Sequence, residues 1–233
     1  MSSDPKALYA SIDAYTLSHT HPPTRPSHAV LAATTTASSA AGLPDIALSR
    51  ALAKFLALFC RAAGITRVLE VGTLGGYTAI FLASENAALH VVTIEVDAHH
   101  AAVARKNVAD AGLEGRVEVI EGAGTEVLGG LKGEVGRGER GRFGLVFIDA
   151  DKENNWRYFD AVVGGGVVGE RGVVVVDNVV RRGRVLEEGS GDKGVLGARE
   201  VIERVGADER VDSVVVQSVG EKGHDGWLWA VVN

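Results

Sequence analysis

The chain is poor in the residues that staple or interrupt a fold. Cys60 is the only cysteine, so no intrachain disulfide can form, and its flanks, FLALFC and RAAG, predict a buried helical position rather than a nucleophile. Proline is scarce, at 5 residues, and Pro22, Pro23 and Pro26 fall close together. Basic charge is in deficit: 24 Lys and Arg against 30 Asp and Glu give a formal net charge of −6. That balance argues against a surface built to neutralise nucleic-acid phosphates. No run approaches the ~20 apolar residues a membrane-spanning helix needs. The first residues lack a basic start and an apolar core, and Asp4 and Asp13 precede the first arginine, Arg25. Neither a secretory signal nor a transit peptide is expected. These absences predict a soluble cytoplasmic protein whose partners are neither nucleic acid nor membrane.

Glycine is in surplus, with 30 residues against roughly 16 at average ~7% usage. Only 5 lie before residue 110 and 25 lie after it. No three-residue period exists, which excludes collagen, and 46% apolar content excludes a wholly disordered chain. At 233 residues the chain can bury a substantial core without staples and suits one domain with extensions. Residues 1–43 form the extension: an amphipathic stretch around 8–17, then HPPTRP, then AATTTASSAAG. The prolines break any helix there, and the Ser/Thr/Ala run has little to pack with. It is either a mobile arm or a segment that covers an active site or a partner subunit.

From Pro44 to the end, residues 44–233, the pattern is regular. The segment PDIALSRALAKFLALFCRAAG has helical spacing and ends at Gly64 as a C-cap. Apolar runs at 67–71, 90–94, 116–120, 144–148 and 172–176 then alternate with helix-length stretches at 76–84, 97–111, 124–131, 153–163 and 197–205. Strands apolar throughout imply a parallel sheet covered on both faces. The runs at 211–219 and 226–232 have only GEKGHDG between them and read as an antiparallel hairpin. The expected fold is α/β: a doubly wound, seven-stranded, mostly parallel sheet with a C-terminal antiparallel hairpin. Such sheets bind ligands beyond the carboxyl ends of their strands.

The first strand end reads Glu70-Val-Gly72-Thr-Leu-Gly75-Gly76-Tyr77-Thr78. Glycines there let backbone approach a ligand, but the spacing is not GxGxxG. Glu70 would repel a pyrophosphate and suits a ligand bearing an ammonium group, such as the amino-acid end of S-adenosylmethionine. Glu95 ends the second strand, 23 residues beyond Gly72, the usual place for a carboxylate that binds ribose hydroxyls. The fourth strand ends in Asp149-Ala-Asp151-Lys152 and the fifth in Asp177-Asn178. If those strands are neighbours, Asp149, Asp177 and Asn178 converge as three oxygen donors, a set suited to magnesium, with manganese or calcium as alternatives.

The set LEVGTLGGYTA, IEVD, EGAGTEVL, FIDADKENNWRYF and VVDNVVRRGRV resembles the cation-dependent O-methyltransferases of the catechol and caffeoyl-CoA type, from about Pro44 to DGWLWAVV. The resemblance implies a Rossmann-like methyltransferase fold and S-adenosylmethionine as methyl donor. Leu48, Glu70, Gly72, Thr73, Gly76, Tyr77 and Thr78 match the donor's methionine side. Glu95 matches the ribose contact, Gly122 and Ala123 lie toward the adenine, and Asp149 borders the donor as well as the metal. Asp149, Asp177 and Asn178 match the metal ligands, Lys152 the base, and Asp151 a position near substrate. The implied acceptor is a phenolic vicinal diol of flavonoid or phenylpropanoid kind, and the implied assembly a homodimer. Two departures stand out. Arg50-Ala51-Leu52-Ala53 replaces a Pro-x-Gln-Gly stretch, and Arg181 and Arg182 replace an aromatic and an amide residue on the acceptor side. Two other readings remain at this point: an NAD-linked oxidoreductase, and a catalytically silent methyltransferase-like binding protein.

Overall fold

The uninterrupted apolar runs become the inner strands of one sheet in the computed structural model, which describes residues 5–233. The strands are β1 (Arg67–Val71), β2 (His90–Glu95), β3 (Val117–Glu121), β4 (Phe143–Ile148), β5 (Val168–Val176), β6 (Val211–Gly220) and β7 (Gly223–Val232). Their order across the sheet is β3-β2-β1-β4-β5-β7-β6. The first five are mutually parallel, and β7 pairs antiparallel with both β5 and β6. This is the expected architecture. The fifth strand starts earlier than its valines suggest, because Val168 still pairs with Phe143 across an irregularity in the β4–β5 register.

Side chains alternate across the sheet, so each strand feeds two cores. On one face Leu69, Val146, Ile148, Val174 and Val176 meet Leu128 and Leu131 of α6 (Gly124–Gly136), Phe159 and Val162 of α7 (Asn155–Gly164), and Val201 and Val205 of α8 (Lys193–Gly206). On the other, Val68, Leu145, Phe147, Val173 and Val175 pack with Leu52 and Leu56 of α3 (Arg50–Ala62), Ile80 and Phe81 of α4 (Tyr77–Glu85), and Val108 of α5 (Ala98–Asp110). Cys60 is fully buried in this second core, and burial pushes its thiol up to about 12, as expected for a packing residue.

Two expectations fail. The helix expected from Pro44 begins only at Arg50, because Ser49 caps it by accepting a hydrogen bond from Leu52 N. Residues 44–49 are a loop, and Ile46 is 69% exposed. The helix does end as expected, with Gly64 left-handed at φ +66°. The second failure concerns the Ser/Thr/Ala run. It forms α2 (Pro26–Ala40), which follows α1 (Pro5–Thr20) after a turn holding Pro22 and Pro23.

The prolines interrupt the helix once and do not abolish it, since Pro26 starts the second one. Thr34, Thr35 and Thr36 return their hydroxyls to carbonyls one turn back, at Val30, Leu31 and Ala32. Small side chains then permit close approach. Asn107 Nδ2 donates to Ser38 Oγ at 3.1 Å, and a Cβ on Gly75 would stand 2.1 Å from that oxygen. At the elbow, buried His21 lies 3.0 Å from Ser27 Oγ, Ser27 donates to Glu85, and Lys54 closes the group at 2.5 Å from Glu85. Among the described residues no helix is long and apolar enough to cross a membrane.

Candidate active site

The parallel ladder runs one residue past each strand, and those residues carry the polar groups. Gly72 N donates to Ile94 O, Gly122 N to Glu95 O, Asp149 N to Val71 O and Asp177 N to Ile148 O. The result is a row of strand ends facing two adjoining cavities. The first, about 720 Å³, runs from Ala123 past Glu95 and the Gly72–Leu74 turn to Lys152. The second, about 690 Å³, lies between the 45–55 segment, the 177–184 loop and the β6–β7 hairpin. Asp149, Asn178 and Leu48 border both.

Gly72 sits at φ +100°, and a Cβ there would stand 2.4 Å from Asp149 O, so only glycine lets the β1 and β4 ends approach this closely. Glu95 Oε2 accepts from Thr73 N at 3.2 Å and Leu74 N at 2.7 Å, while Oε1 accepts from Asp97 N. The carboxylate thus shapes the turn in addition to facing the cavity. Thr73, Tyr77, Thr78, Leu48, Gly122 and Ala123 also border this first cavity.

Glu70 and Gly76 do not. Glu70 is 1% exposed and accepts from Thr93 Oγ1 at 2.6 Å, and Thr93 in turn meets Thr73 Oγ1 at 2.6 Å. Burial raises the Glu70 carboxyl to about 8, with Asp149 and Glu95 adding to the rise. Glu70 reaches the cavity wall through these two threonines, and Thr78, which also borders the cavity, favours its charged form. Gly76 caps α4 at φ +83° and faces Ala104 and Ile80. It serves helix packing.

Asp149 and Asp177 follow register-paired residues of β4 and β5 and so stand side by side. Burial and the neighbouring Asp149 charge raise the Asp177 carboxyl, and Lys152 offsets part of this. Lys152 Nζ lies 2.5 Å from Asp149 Oδ1, and Asn178 Nδ2 donates to Asp177 Oδ2 at 3.2 Å. No cluster of three or more His, Cys, Asp or Glu exists among the described residues. The donor set would therefore be two carboxylates and one amide. Two anions crowded together, with an amide oxygen beside them, fit a hard divalent cation and lack the nitrogen or sulfur that zinc prefers.

Several residues of the site carried no signal of their own in the sequence. Tyr158 borders the first cavity and donates to Asp151 Oδ1 at 2.5 Å. Burial raises its phenol, and a Cβ on Gly124 would crowd its ring at 2.8 Å. Asp151 itself is exposed at the rim. Gly197 of α8 would place a Cβ 2.0 Å from Lys152 O, so the helix backbone presses directly on the lysine turn. Arg181 and Arg182 border the second cavity, as do Phe55 and Trp227, whose rings are 6.0 Å apart.

Comparison with known proteins agrees with this geometry. The O-methyltransferase family pattern matches residues 24–223. The chain is 48% identical over 224 residues to the O-methyltransferase imqG of Aspergillus flavus, covering 95% of this chain and 90% of that one. It is 44% identical over 204 residues to a catechol O-methyltransferase of Mycobacterium tuberculosis, covering 87% and 88%. Among solved structures, an O-methyltransferase of Bacillus cereus in complex with S-adenosylhomocysteine superposes with a TM-score of 0.89 at 35% identity, over 98% and 100% of the two chains. The S-adenosylmethionine complex of TomG from Streptomyces achromogenes gives 0.88 at 32%, over 99% of each.

Proposed function

Because the chain belongs to the O-methyltransferase family and draws its methyl group from S-adenosylmethionine, we propose that it methylates a catechol-type aromatic of flavonoid or phenylpropanoid kind with the help of a divalent cation. The observation that carries this reading is the gathering of Asp149, Lys152, Asp177 and Asn178 on two neighbouring strand ends where the two cavities adjoin. The oxidoreductase alternative falls with the family assignment. Relatives named catechol O-methyltransferase, at 44% and 39% identity, support the acceptor class.

A phenolic hydroxyl ionises near ~10 and is a weak nucleophile at pH 7. Asp149, Asp177 and Asn178 would hold the cation, magnesium first, and it supplies the positive charge that makes the phenolate accessible. Lys152 in its neutral amine form takes the phenolic proton at Nζ and becomes the ammonium, and Asp149, 2.5 Å away, orients it. The Gly72–Leu74 turn, Thr78 and Glu95 hold the donor so that its methyl faces the second cavity. Transfer then forms the O–CH3 bond as the S–CH3 bond breaks in line, and alignment at near-attack distance lowers the barrier. Asp151 orders the rim through Tyr158. We read the enzyme as cytoplasmic and homodimeric; exposed Phe55, Leu58, Val214 and Val216 supply apolar surface for a second copy.

The test is calorimetric binding of S-adenosylmethionine, followed by turnover on mono- and dihydroxy phenols with and without chelator. The reading requires donor binding, a strong preference for vicinal diols, and loss of turnover on chelation. Equal rates on monophenols and catechols, or indifference to chelator, would falsify it.

A further inference from the structure

The second cavity holds positive charge that its own carboxylates leave unused. Arg184 is bonded to Glu187 and Asp192, and Lys222 Nζ lies 3.4 Å from Asp45. Asp225 is occupied by backbone: its Oδ1 accepts from Val180 N, Arg181 N and Gly226 N at 3.1, 2.9 and 2.9 Å. Among the described residues, Arg181 and Arg182 have no side-chain hydrogen bond or ion pair with any of them. Arg181 Nε is buried without a partner, and so is Trp227 Nε1. Both residues border this cavity. A buried donor left unpaired costs free energy that an acceptor oxygen would remove, and each of these residues carries one.

The backbone here is held in unusual conformations. Asn178, Arg181 and Arg182 all have left-handed φ, at +59°, +55° and +58°, which non-glycine residues rarely adopt. The Asp225 clamp and the close approach of Gly226, where a Cβ would stand 2.7 Å from Val180 Cγ2, keep the loop there. Strain of this kind persists where surrounding structure imposes it, and it concentrates at ligand sites. A solvated arginine loop needs no such clamp.

We propose that Arg181, assisted by the Trp227 indole N–H, is a specificity-determining residue that receives an anionic substituent of the acceptor, so that the preferred substrate is a catechol carrying a carboxylate. The proposal rests on the catechol reading above. Asp149 and Asp177 border the same cavity and repel a carboxylate set beside them. The acid group and the diol therefore belong at opposite ends of the acceptor, as in 3,4-dihydroxybenzoate, where the ring separates them. A guanidinium matches the planar carboxylate with paired donors.

The experiment compares 3,4-dihydroxybenzoate with its neutral methyl ester on the full chain, with donor and Mg2+ present. The native protein is expected to favour the acid at least tenfold in kcat/KM, equivalent to about 1.4 kcal/mol. Arg181→Gln brings the ratio near one by lowering the acid's kcat/KM at least tenfold more than the ester's, while Arg181→Lys keeps part of the preference. Trp227→Phe lowers the acid's kcat/KM more than the ester's. In parallel, benzoate, which lacks the diol, is titrated into protein saturated with S-adenosylhomocysteine, and its Kd rises at least tenfold in Arg181→Gln. Equal native rates on acid and ester, or an Arg181→Gln variant that lowers both alike, overturns the proposal. If neither compound is methylated but benzoate binding still depends on Arg181, the anion site stands and the catechol reading fails. If benzoate binding is also indifferent to Arg181, both fail.

Discussion

The two sides of the proposed ligand region, one for the donor and one for the acceptor, are built by opposite means. The donor side is a tight turn that the sheet itself positions: Gly72 fits where no Cβ can, and Glu95 closes the loop by accepting two backbone N–H groups. The acceptor side rests on a loop with three left-handed non-glycine residues, held by one aspartate from the distant hairpin. A ligand common to many relatives can be met by a fixed mould. An acceptor that differs from one relative to the next calls for a segment whose shape depends on a few side chains, and loops supply that.

The comparison breaks most clearly at Lys152. Replacing it with alanine should lower turnover by at least about 100-fold while calorimetry finds donor binding intact; retained turnover would remove the lysine from the chemistry. Next comes Gly72→Ala, which strikes the contact between β1 and β4 and forces a side chain into a left-handed position. It should cost about 3 kcal/mol in denaturant unfolding and weaken both ligands together. A normal unfolding midpoint would show that the donor mould is softer than its geometry implies.

A third test separates charge from shape beneath the donor turn. Burial raises Glu70 to about 8 from its ordinary 4.5. Between those values the folded protein keeps a proton that the unfolded chain has released, so stability falls as pH rises through the window and stays low above it. Glu70→Gln carries no such group. Its unfolding free energy should match that of the native protein near pH 4.5 and exceed it above pH 8, by up to about 5 kcal/mol. A gain that is the same at every pH would assign the effect to packing. The smallest effect is expected at Asp225→Ala, which releases the 180–181 backbone. Stability should drop by about 1 kcal/mol, with acceptor KM raised and donor affinity unchanged. An equal loss in donor affinity would mean the two sides are not independent.

Much of this was readable in the chain. Apolar runs mark the parallel strands because burial on both faces leaves no polar alternation, and Asp149 and the Asp177-Asn178 pair stand out because each comes directly after such a run. The failures share a cause. Whether α2 forms depends on Gly75, Glu85 and Asn107, partners far along the chain, and no local pattern in AATTTASSAAG announces them. Glu70 stands before the glycines in the chain, and the fold sets it beside Thr93, beneath residues that border the first cavity. Gly197 and Asp225 act through backbone contacts between elements, which composition and spacing do not encode. Most of the glycines after residue 110 lie inside helices and strands, five of them in α6 alone, and a few, with Gly72, are where the site needs bare backbone: Gly124 and Gly197.

The docking of α2 has a consequence for how the chain matures. Ser27 bonds to a residue 58 positions later and Ser38 to one 69 positions later. During synthesis α2 therefore emerges well before the surface that receives it, and it must wait, unsupported, until α4 and α5 have been made. Made before its partners, α2 can dock only once residue 110 has followed it.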